Sequence, residues 1–121
     1  LKPEGFFGVR LSEREANVFL ACGRKLFEGE WTLELFGSRV EDHLRGGDID
    51  LLFTFGSEAA WRAALGRKAA YLAQVKTWLG EQKIDVVMTT TRRAAGDPFV
   101  QSLGDRRVLL GDSGPHPESG V

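Results

Sequence analysis

Cysteine is nearly missing from this chain. Cys22 is the only one, which excludes an internal disulfide and fits a reducing compartment. It lies in a helical stretch and reads as a small core residue rather than a reactive thiol. Long apolar runs are missing too: none approaches the roughly eighteen residues of a membrane span, and no basic segment with an apolar core opens the chain. The expectation is a cytoplasmic protein with no membrane partner. Leu1 at the first position leaves a removed leader and an unusual start both open. There is no excess of one charge. Sixteen Lys and Arg stand against seventeen Asp and Glu, a net of −1, so no direct nucleic-acid partner is expected. Internal repeats and domain linkers are absent. A chain of 121 residues makes one domain, burying roughly two-thirds of its unfolded surface. That domain is expected over residues 1–110, with the Gly-, Pro- and Ser-rich stretch 111–121 as a disordered tail.

What is present is a set of short elements with clear punctuation. Ser12-Glu13-Arg14-Glu15 reads as a capping box with Leu11 as its staple, opening a helix that Gly29 stops. Trp31 to Phe36 alternates, with Trp31, Leu33 and Leu35 on one face of a strand. Ile49 to Phe55 is a nearly continuous apolar strand, expected at the centre of the sheet. Ser57 caps a helix carrying Trp61, Ala64, Leu65, Tyr71, Leu72, Val75, Trp78 and Leu79 at three- and four-residue spacing, closed by Gly80. In this reading Trp61, Tyr71 and Trp78 belong to the helix's core stripe, while Phe6 and Phe7 are left for a sheet edge or a partner. Lys83 to Thr89 forms a third strand. Asp97-Pro98 is an N-cap with proline at the first helical position, and Arg106 to Leu110 is a short strand or turn. The order predicts an α/β (α+β) fold, a small mixed β-sheet with helices packed on it.

The chemistry sits in LFGSRVEDHLRGGDIDLLFTF. Asp48 and Asp50, two apart at the mouth of a strand, project to one face with Cα atoms roughly 7 Å apart. Hard carboxylate oxygens suit magnesium, which binds through a few such groups together with a substrate's phosphates. Gly37-Ser38, ending the preceding strand, offers backbone N–H groups and a hydroxyl suited to phosphate. A third carboxylate is expected about 4.8 Å across the sheet. Asp85 is the only acid inside the third strand, where an aspartate is costly unless paired or metal-bound. Each feature alone has an ordinary explanation as a turn or a solvated strand end; the combination carries the signal.

The run Leu35-Phe36-Gly37-Ser38-Arg39 followed by Asp48-Ile49-Asp50-Leu51-Leu52 resembles the DNA polymerase beta-like nucleotidyltransferase superfamily. In its shortness the chain is similar to the minimal nucleotidyltransferases, the MNT proteins of prokaryotes. The resemblance covers roughly residues 15 to 110, and Asp97-Pro98-Phe99-Val100, Gly104 and Val108-Leu109-Leu110 match its C-terminal segment more weakly. It implies the superfamily's palm fold. It implies also that Gly37 and Ser38 hold the triphosphate of ATP, with Arg39 touching phosphate. Asp48 and Asp50 would bind two Mg²⁺ ions, and Asp85 would bind the catalytic metal and help activate the acceptor hydroxyl. Glu41, Asp42 and His43, in the nine-residue insert, are not motif residues, and His43 reads as a solvated loop residue.

The 121 residues are expected to hold such a palm without an acceptor-binding domain, so the acceptor is expected to be a partner. Similar MNT proteins act as antitoxins beside HEPN-domain toxins, transferring AMP from ATP to a toxin tyrosine. The expectation is thus an adenylyltransferase antitoxin in a hetero-oligomer with a HEPN toxin. The alternatives are a non-catalytic module that masks its partner and a small-molecule nucleotidyltransferase; a polymerase-like role conflicts with the near-neutral charge.

Overall fold

The opening helix begins where the capping box predicts. The Ser12 hydroxyl accepts from the Glu15 amide at 3.1 Å and the Ser12 amide donates to Glu15 Oε1 at 3.0 Å. Two otherwise unpaired N–H groups are thereby satisfied. Leu11 beside it is buried. A computed structural model describes residues 5–6, 9–37 and 48–114. The elements are β1 (Gly5–Phe6), β2 (Val9–Arg10), α1 (Glu13–Leu26), β3 (Trp31–Phe36), β4 (Ile49–Phe55), α2 (Glu58–Leu65), α3 (Lys68–Leu79), β5 (Ile84–Thr90), α4 (Thr91–Ala95), α5 (Pro98–Leu103) and β6 (Arg107–Asp112). The fold is a small mixed α+β one. Among the described residues no helix is long and apolar enough to cross a membrane.

Four strands form the main sheet in the order β5-β4-β3-β6, and β1 and β2 make a separate two-stranded ribbon. β3 runs antiparallel to both β4 and β6, whereas β4 and β5 are parallel. A parallel pair cannot be closed by a tight turn; here α2 and α3 make the crossover. The alternation along each strand sorts the side chains onto two faces. Trp31, Leu33, Leu35, Ile49, Leu51, Phe53, Phe55 and Val86 join the larger core with α1, α2 and α3. At its centre Phe27 stacks on Tyr71 at 5.2 Å and meets Phe53 edge-on at 5.1 Å. Buried Tyr71 donates its hydroxyl to the Phe19 carbonyl at 3.0 Å. On the opposite face Phe36 and Leu52 pack with Val100 and Leu103 of α5. Asp97 opens α5 as its N-cap, accepting from the Phe99 amide at 2.8 Å with Pro98 at the first position.

Three expectations are corrected, and two short features are added. The helix read from Ser57 to Leu79 is two helices, broken at Gly66 and Arg67. The Arg67 guanidinium donates to the Leu26 carbonyl at 2.8 Å, tying the break to the end of α1. Trp78 is not in the core: it is 59 % exposed. Tyr71, Leu72, Val75 and Leu79 supply α3's inward stripe, and Trp78 falls beside it on the flank shared with Gln74. The chain also stays ordered beyond the boundary at residue 110. β6 includes Gly111 and Asp112, and the Ser113 amide donates to the Trp31 carbonyl at 2.9 Å. Finally, α4 and the β1–β2 ribbon were not expected, being too short for any periodicity to announce them. Phe7 and the side chain of Phe6 lie outside the described residues, as does the insert from Ser38 to Gly47.

Candidate active site

β3 ends at Phe36 where β4 begins at Ile49, and the registers of four strands meet there. Phe36 pairs with both Asp50 and Arg107, and Asp50 pairs with Asp85. Directly paired residues share a sheet face. The end of the sheet thus presents one row, Arg107–Phe36–Asp50–Asp85, on the face that α5 partly covers. Asp48 precedes Asp50 by two positions, and the Ile49 amide donates to the Lys83 carbonyl at 3.0 Å, carrying the β4–β5 pairing one step further. All three predicted aspartates are therefore at one corner: Asp50 on an inner strand and half-buried, Asp85 on the edge strand and exposed, Asp48 at the mouth of β4.

Gly37 closes the corner on the β3 side. Its φ is +84°, and a Cβ there would run into the Asp50 carboxylate. Two requirements select glycine: the left-handed backbone, unfavourable for a side chain, and the space that the Asp50 carboxylate occupies. The carboxylate thus sits in a cradle made by a missing side chain. Ser38 and Arg39, the other predicted phosphate-binding residues, lie outside the described residues.

The acids of the corner act on one another. Partial burial pushes the Asp50 carboxyl up from 3.8, and the charges of Asp85 and Asp48 push it further. All three causes favour the protonated acid, and a bound cation would oppose them by favouring the carboxylate. Among the described residues no three His, Cys, Asp or Glu side chains draw together into a cation-holding group. The donor set nevertheless fits magnesium by its chemistry: hard carboxylate oxygens from two neighbouring strands at one end of the sheet.

Two basic residues near the corner were not singled out from the sequence. Lys83 Nζ lies 4.0 Å from Asp48 Oδ2. Arg107 Nε lies 3.6 Å from Glu34 Oε2, next to Phe36 in the row. Lys83 carries a readable signal, since it precedes Asp85 by two positions and so shares its face. Arg107 carries none, because only strand pairing brings β6 to β3. Elsewhere, Arg93 binds Glu58 at 2.8 and 3.1 Å and lies 4.0 Å over the Trp61 ring. Cys22 is buried and packs in the larger core as expected, and burial raises its thiol pKa against the opposing pull of Lys25. No protein-family model matches the sequence, and no curated protein matches it significantly.

Proposed function

We propose that this corner is the catalytic end of a polymerase beta-like nucleotidyltransferase of the MNT kind, moving AMP from ATP to a hydroxyl of a partner protein. One observation carries the reading: Asp50 opposite Asp85 in register, with Asp48 two positions before and Gly37 cleared of a side chain against Asp50. Asp48, Asp50 and Asp85 would hold two Mg²⁺ ions, which supply charge neutralisation for the triphosphate and acidify an acceptor hydroxyl. Gly37, with Ser38 and Arg39 beyond it, faces the triphosphate in this reading. Asp85, the exposed member, takes the proton of the attacking hydroxyl on a carboxylate oxygen. The hydroxyl oxygen bonds to the α-phosphorus, the bond to the β-phosphate oxygen breaks, and pyrophosphate leaves. Phe36 and Leu52 with Val100 and Leu103 form the apolar backing that excludes water behind Asp50.

A HEPN-domain toxin, modified on a tyrosine hydroxyl, is the partner this reading favours. Incubation with Mg-ATP and the co-purified partner should add the mass of one AMP to that partner. No added mass overturns the catalytic reading. The second reading is a domain that neutralises its partner by masking it. Asp48→Ala with Asp50→Ala separates the two. Lost neutralisation with the complex intact supports catalysis, and full neutralisation supports masking.

A further inference from the structure

α1 carries a second feature that the carboxylate corner does not use. Arg14, Asn17, Val18, Ala21, Cys22 and Lys25 recur at three- and four-residue spacing along nearly its whole length, and with Gln74 and Trp78 of α3 they line a groove of about 560 Å³. Its floor is apolar, and Trp78 stands 59 % exposed along it. A tryptophan left largely in water forgoes much of the stabilisation its burial would bring, so an exposed one beside an apolar groove marks a contact surface.

The charges at the groove say what fits it. Arg14 stands at one end and Lys25 at the other, and among the described residues no acidic one lines it. The Arg14 guanidinium donates to the Trp78 carbonyl at 2.8 Å, which fixes it at that end without neutralising it. This is a local cationic pair on a chain whose net charge is −1. Eleven residues of helix place the two cations roughly 16 Å apart. A second copy of the same face is a poor occupant, since antiparallel stacking would set Arg14 and Lys25 against the same two cations. We propose that the groove docks one amphipathic helix of a partner protein. Large apolar side chains lie over Val18, Ala21, Cys22 and Trp78, and a carboxylate about three turns apart at each end meets Arg14 and Lys25. Because both ends are positive, the charges do not choose the helix direction. This surface stands independently of the nucleotidyl-transfer reading.

The test uses a synthetic helical peptide with blocked termini, leucines at every third and fourth position, and a glutamate at each end eleven residues apart. Its twin carries lysine at both ends. The Glu-ended peptide should bind the full chain with saturation that weakens as salt rises, and about three- to tenfold more tightly than the Lys-ended one. Ala21→Arg, which keeps high helix propensity while filling the floor, should abolish binding without changing the melting curve. In Lys25→Glu, a peptide with one end changed to lysine should bind better than the original. No binding by the Glu-ended peptide at millimolar concentration overturns the proposal. So does equal binding by both peptides, binding unaffected by Ala21→Arg, or a peptide-free dimer that Ala21→Arg dissociates.

Discussion

Substituting Gly37 by alanine isolates the contact that shapes the corner. At φ +84° an L side chain costs about 1–2 kcal/mol in the left-handed region. The new Cβ also meets the Asp50 carboxylate and would lie 3.1 Å from Asp50 Cγ, so Asp50 must leave its position. An off-rotamer side chain adds about 0.5–1.5 kcal/mol, for a total near 1.5–3.5 kcal/mol. Interpolating for a domain of this size, that is a fall in melting temperature of about 5–15 °C. The two causes separate in a double-mutant cycle. Asp50→Ala removes Oδ2 and Cγ, leaving only a Cβ at an ordinary 3.5 Å, so Gly37→Ala in that background should lose the backbone part alone. Urea denaturation followed by circular dichroism gives all four stabilities. A coupling of about 0.5 kcal/mol or more is expected; additivity within about 0.3 kcal/mol would mean that the Asp50 carboxylate does not occupy the space beside Gly37.

Two further outcomes follow from groups already described. Asp50 binds a proton more tightly folded than unfolded, because burial, Asp85 and Asp48 all raise its pKa. Native stability therefore declines as pH rises from the ordinary value of 3.8 through the raised folded value, and above that the loss is complete. Asp50→Asn should melt higher than the native chain at pH 7, with the advantage vanishing below 3.8; a difference unchanged between the two pH values refutes the cause. Tyr71→Phe removes the buried bond to the Phe19 carbonyl and should cost about 0.5–1.5 kcal/mol by denaturant titration without altering the carboxylate corner. An unchanged midpoint would show that this bond contributes nothing net.

The parts of this fold legible in the sequence are those whose causes are local. The Ser12–Glu15 capping box and the Asp97-Pro98 helix start are decided within a few residues, and both appear as read. The alternation of β3 needs only a face to bury, and Trp31, Leu33 and Leu35 are buried as expected. What failed depends on distant neighbours. Nothing between Trp61 and Leu79 says that the helix must turn at Gly66. The turn is fixed by Arg67 reaching the end of α1. Trp78 repeats at helical spacing and still lies on a flank, because α1 covers only part of α3. Asp85 was singled out as an acid in an apolar strand, but its pairing with Asp50 rests on parallel register that sequence spacing does not encode. Arg107 reaches the row through β6, where no motif marks it.

The parallel pairing of β4 and β5 also sets when the corner comes into being. A hairpin closes locally and early, but strands joined by a helical crossover must wait until α2 and α3 have packed, since that loop's closure entropy is repaid only by the contacts it completes. Asp50 belongs to the half of the sheet that β3 and β4 make on their own; Asp85 arrives with β5. A chain still emerging from the ribosome, with β5 not yet released, has Asp48 and Asp50 but no third carboxylate. Of the two charges that act on Asp50, that of Asp48 is therefore in place with β4, and that of Asp85 comes only with the β4–β5 pairing.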